Sequence, residues 1–106
     1  MRPKIVRDRI PEIILASGKI PKTQIVSRNE AISGLEAKLQ EELNEYLADR
    51  SLEEMADILE VMHGILYQLD IAWDELEAVR RKKYAERGGF HNRVLLMEIE
   101  SNDAGK

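Results

Sequence analysis

The chain has 106 residues, enough for a single modest domain, and 43% of them are apolar, which argues against wholesale disorder. With 20 acidic residues against 16 basic ones its net charge is -4, which argues against a protein that coats nucleic acid, and the absence of cysteine excludes disulfides, thiolate metal sites and a cysteine nucleophile. No apolar run is long enough to span a bilayer and residues 1–8 lack a signal-peptide core, so the expectation is a cytoplasmic protein with no membrane partner.

Residues 1–10 are basic (Arg2, Lys4, Arg7, Arg9) and read as an extended segment that packs through Ile5 and Val6. Pro11 suits a first helical turn and Gly18 suits the residue just past a helix end, which predicts a short helix over 11–17. Thr23–Ser27 alternates weakly and reads as a short strand. A long helix follows over about 29–49, with Ile32, Leu35, Leu39, Leu43, Tyr46 and Leu47 on its apolar stripe. Ser51 reads as the N-cap of a second long helix that runs to about Leu69. A third covers about 72–86 and ends at Gly88-Gly89. Residues 93–99 are β-like and are placed as a partner for 23–27. The expected fold is all-α, an antiparallel helical bundle over 1–106, with a small two-stranded β element from those two segments.

Two acidic pairs stand out: Glu42-x-x-Glu45 and Glu54-x-x-Asp57. Residues three apart share one side of a helix, so each pair aims two carboxylates at one point. On a wheel of about 100° per residue, Glu42 lies about 60° from Leu39, at the centre of the first apolar arc. Glu45 lies about 120° away, on its shoulder. With Met55 as reference on the second helix, Glu54 falls at about 100°, between Ile65 and Val61, and Asp57 at about 160°. Glu42 and Glu54 thus stand against surfaces that should be buried, where an uncompensated carboxylate is costly. A short connection near Arg50 makes the helices antiparallel neighbours and brings both pairs to a similar height above the turn. Carboxylates without His or Cys favour Mg²⁺ or Mn²⁺ over Zn²⁺. The implied chemistry is metal-assisted attack of water on phosphorus.

Plainer roles compete. Ser51-Leu52-Glu53-Glu54 fits a capping box in which Glu54 reaches back to the Ser51 amide. Lys38, four residues before Glu42, fits a helix-surface ion pair. Lys82, Lys83 and Arg87 suit a helix C-terminus through the macrodipole. His63 and His91 receive no chemical role, and Trp73, Tyr46 and Tyr67 read as packing residues.

The motif as a whole resembles the signature of the MazG-type all-α nucleoside triphosphate pyrophosphohydrolases. Lys38-Leu39-Gln40-Glu41-Glu42 resembles the K-L-x-E-E that leads into it. Val6-Arg7-Asp8-Arg9-Ile10-Pro11 resembles the V-R-D-K-I-P start of a phosphoribosyl-ATP pyrophosphohydrolase-like subgroup, and Lys83-x-x-x-Arg87-Gly88-Gly89-Phe90 resembles that subgroup's ending. The gap between the acidic pairs is short for the wider superfamily, which leaves little loop to close over a base. The resemblance implies Mg²⁺-dependent cleavage between the α and β phosphates of a nucleotide, with Mn²⁺ as a substitute. It implies Glu42, Glu45, Glu54 and Asp57 as metal ligands and Glu41 as the residue that orients or deprotonates water. Lys83 and Arg87 become phosphate-binding candidates, with Lys38 and Arg7 behind them. A homodimer or homotetramer is implied, with a nucleotide as substrate. Phosphoribosyl-ATP hydrolysis is the alternative within the enzyme class. Outside it stands a non-catalytic helical dimer acting as an interaction module.

Overall fold

In a computed structural model of the chain, residues 2–101 are described. Four helices follow one another: α1 (Ile10–Ala16), α2 (Arg28–Ala48), α3 (Leu52–Gln68) and α4 (Trp73–Arg87). The chain gathers into two compact units, and the boundary falls after Trp73, at the first turn of α4.

Four of the helix ends carry a local instruction in the sequence. Ser27 caps α2 by accepting from the Glu30 amide, and its hydroxyl donates to the Glu30 carboxylate. Ser51 caps α3 by accepting from the Glu54 amide at 3.2 Å. Gly18 takes φ 92° after α1, with Gly18 N–H donating to Leu15 O and Lys19 N–H to Ile14 O, the paired bonds of a Schellman close. Asp70 does the same after α3 at φ 58°, a conformation that aspartate tolerates better than most side chains. Its carboxylate also accepts from Arg28 at 2.6 Å, tying the start of α2 to the end of α3.

No described residue is in a strand, so the expected β element is absent. A strand needs a ladder partner, and neither segment finds one among the described residues. Ile25 is fully exposed, and Val94, Leu95, Leu96, Met97 and Ile99 are all more than two-thirds exposed. Arg93 sits at φ 56°, outside the extended region a strand would need. Ser27, expected at the end of a strand, instead begins α2.

The first unit is organised by the α2–α3 hairpin, joined through Asp49, Arg50 and Ser51. Ile32, Leu35 and Leu39 on α2 and Ile58, Met62, Ile65 and Leu66 on α3 are half-buried. Among the described residues only Val61 and Glu42 are buried, each 6% exposed. Val61 thus marks the buried face of α3, the side on which the wheel places Glu54, while Met55 is 54% exposed. His63 and Trp73 stack at 3.9 Å between ring centroids, which closes the far end of this unit.

Residues 2–9 form a strap along the hairpin. Gly34, inside α2, makes room for it: a Cβ there would collide with the Ile5 side chain. Gly34→Ala should therefore lift Ile5 while gaining about 1 kcal/mol of helix propensity, so global stability should change little. Hydrogen exchange checks this: amides of residues 4–9 should exchange faster in the variant and those of α3 should not.

Candidate metal centre

The hairpin brings Glu42, Glu54 and Asp57 together. One carboxylate oxygen from each lies within 4.8 Å of the others, a spacing that a single divalent cation can bridge. Glu42 comes from the buried side of α2, while Glu54 and Asp57 come from the first turns of α3, where the helix dipole favours negative charge. The capping box closes only halfway. Ser51 N–H donates to the Asp49 carbonyl, and the buried Glu54 Oε2 has no hydrogen-bond partner. The Glu54 carboxylate is thus left for the cluster.

Glu42 is the unusual group. Its Oε1 lies 3.3 Å from Lys38 Nζ, and its Oε2 is buried without any partner. Burial pushes its pKa above the ordinary glutamate value of 4.5, Lys38 pulls the other way, and the neighbouring Glu45 adds to the rise. An orphaned carboxylate oxygen in a protein interior is costly. Two such oxygens in one acidic cluster fit a cation-binding site better than they fit a solvated helix face.

Around the cluster stand bases. Arg7 Nη2, from the strap, donates to Asp57 Oδ1 at 2.7 Å. Lys4 Nζ lies 3.7 Å from Glu41 Oε1. Both pairs are about half-exposed, the class of ion pair worth roughly 0.2–1 kcal/mol. Lys4, Arg7, Lys38, Glu42 and Asp57, with Val6 and Ile10, line one groove of about 250 Å³. Four carboxylates (Glu42, Glu45, Glu54 and Asp57) stand against Lys38 and Arg7, an excess of charge that one divalent cation would balance. The donor set is all oxygen, which suits Mg²⁺ or Mn²⁺.

Of the residues singled out from the sequence, the structure gathers Glu42, Glu54, Asp57, Lys38 and Arg7. Glu45 is exposed and stands outside the three-oxygen cluster, close enough to Glu42 to repel its charge. Glu41 is half-buried and faces Lys4. Lys83 and Arg87 belong to α4 in the second unit, where both are exposed and have no ion-pair partner among the described residues. In the same helix Arg80 and Arg81 are engaged by Glu77. A larger depression, of about 560 Å³, lies at the Gly88-Gly89 turn, lined by Tyr84, Arg87, Phe90, His91 and Arg93 among others. It has no carboxylate, so it is not a cation site. Lys4 was given no role from the sequence, although its place in the basic N-terminal run was a signal.

Among the described residues no helix is long and apolar enough to cross a membrane. No family model matches the chain. An uncharacterized protein of Mycolicibacterium smegmatis is 49% identical over 45 residues, which are 42% of this chain and 46% of that protein. The match thus spans about half the length of this relative. No solved structure matches.

The raised pKa of Glu42 has a sign that can be tested without metal. The folded state binds this proton more tightly than the unfolded chain does. Stability is therefore favoured below the ordinary glutamate range and is lost as pH rises from about 4.5 through the raised folded value. In EDTA, melting curves between about pH 4 and pH 8 should show Glu42→Gln gaining on the wild type as pH rises. A gap that stays constant, or moves the other way, would refute the assignment.

Proposed function

We propose that this protein is a nucleotide pyrophosphohydrolase that uses Mg²⁺, or Mn²⁺ in its place, to cleave a nucleoside triphosphate between its α and β phosphates. The observation that carries the reading is the orphaned, buried Glu42 Oε2 within a three-carboxylate cluster on a paired-helix scaffold. The MazG-type motif, read from sequence, supplies the substrate class. Glu42, Glu45, Glu54 and Asp57 are assigned as the cation's ligands.

When bound, the cation supplies charge stabilisation for the phosphates and lowers the pKa of an attacking water. The chain's own residues do the rest. Glu41, beside the cluster on α2, is assigned to orient the water and take its proton, which requires its contact with Lys4 to open. The water oxygen forms a bond to the α phosphorus. The bridging oxygen between α and β phosphates leaves with its electron pair, which gives nucleoside monophosphate and pyrophosphate. Lys38 and Arg7 line the groove where anionic oxygens would lie, and Lys83 and Arg87 are phosphate-binding candidates on the sequence motif alone. Phosphoribosyl-ATP would satisfy the same machinery.

A second copy of the chain is the proposed partner. Leu43, Leu47, Leu52, Met55 and Leu59 are all exposed near the turn of the hairpin, and Leu52 is 83% exposed. A patch of that kind on a unit with so little buried core supports self-association as a dimer or tetramer, in the cytoplasm. The same patch also favours the second reading, a helical dimer without catalysis.

A nucleotide panel that includes dUTP, dCTP, oxidised nucleotides and phosphoribosyl-ATP should release pyrophosphate only with Mg²⁺ or Mn²⁺. Glu42→Gln should lower kcat by ~100-fold or more. Glu41→Gln should lower kcat while leaving metal affinity near the wild-type value. A folded Glu42→Gln protein with full activity would sink the enzyme reading. No turnover on any panel member, together with no specific Mg²⁺ or Mn²⁺ binding by calorimetry, would favour the interaction module.

A further inference from the structure

The strap places a cation on the cluster by means of the chain itself. Arg7 is bonded to Asp57 at 2.7 Å, and Asp57 is one of the three carboxylates that converge. We infer that Arg7 is an exchangeable counter-ion: it holds Asp57 until a divalent cation takes that carboxylate, and its guanidinium then turns to an anionic oxygen of the substrate. The inference rests on the metal-centre reading above and adds an order of events to it.

Three features carry it. First, the partner is unequal to its neighbours. Lys38 pairs with Glu42 within one rigid helix, at the i and i+4 positions. Arg7 comes from non-helical backbone fifty residues away in sequence, so it can leave without disturbing α2 or α3. Second, the bond is cheap to open, because both side chains are partly exposed to water. Third, the groove that Arg7 lines is shared with Lys4 and Lys38, so a guanidinium released from Asp57 stays among bases at the mouth of the cluster. Its planar fork matches a phosphate as well as it matches a carboxylate. The strap would keep its footing through Ile5 against Gly34.

Competition of this kind has an unusual sign: removing a base should strengthen cation binding. Calorimetry with Mg²⁺ alone should give Arg7→Gln about 2- to 5-fold tighter binding than the wild type. Arg7→Lys, which keeps the charge, should bind close to the wild type. With Mg²⁺ saturating, inorganic pyrophosphate should bind more weakly to Arg7→Gln than to either of the others. A structural strap contact would predict equal or weaker Mg²⁺ binding instead, and that result overturns the inference. The wild type offers a check that needs no variant. Its Arg7 side-chain Nε–H resonance should shift in step with Mg²⁺ occupancy, and a resonance that ignores Mg²⁺ also overturns it. If Glu42→Gln abolishes Mg²⁺ binding while Arg7→Gln leaves it unchanged, only the counter-ion role fails. If the wild type binds no Mg²⁺, the metal centre and the counter-ion role fall together.

Discussion

Glu42 stands where α2 presses against α3, at a position that a leucine would fill at lower cost. Its burial shapes the rest of the hairpin. The helix pair must pack around a group that prefers water, and it does so with Lys38 on one oxygen and no partner on the other. Glu54 and Asp57 crowd the same point instead of turning away from it. Three like charges held together destabilise a fold unless something outside the chain or at its edge offsets them. The bases of the strap and of α2 supply part of that offset, and a hard cation would supply the remainder.

The first unit has a thin core for the same reason. One helix–helix seam carries it, and part of that seam is given over to carboxylates. The apolar residues that a larger core would enclose lie exposed near the turn. The acidic cluster and the packed seam occupy the same few turns of α2 and α3. Improved packing at position 42 would remove the feature that makes the cluster unusual.

Much of this was legible in the sequence, and the reasons are local. Ser51, Gly18 and Gly88 announce helix ends through capping and left-handed backbone geometry, and the helices end where those residues stand. The three-residue spacing placed Glu54 and Asp57 side by side, and the wheel set Glu42 and Glu54 against apolar faces. On α3 Val61 is buried while Met55 is exposed, a difference the apolar pattern did not announce. Apolar residues surround the whole helix, so periodicity alone cannot tell a packed stripe from an exposed one. The strands failed for a related reason: an alternating segment carries no information about whether a partner exists. The strap was legible in part. Residues 1–10 read as an extended segment that packs through Ile5, and Ile5 does meet α2 at Gly34, but nothing in the sequence gave Arg7 as the group that reaches Asp57 on α3.

The salt bridge from Arg28 to Asp70 sits at the end of the hairpin opposite the Asp49–Ser51 turn. This exposed ion pair is weak, but with the turn at the other end it favours one register of α2 against α3. A slip of one residue would rotate Glu42 by about 100° and carry its carboxylate out of reach of the acids on α3. The register of α2 against α3 is therefore a gauge: it sets how far apart the three oxygens stand, and with that the size of any ion that could sit between them.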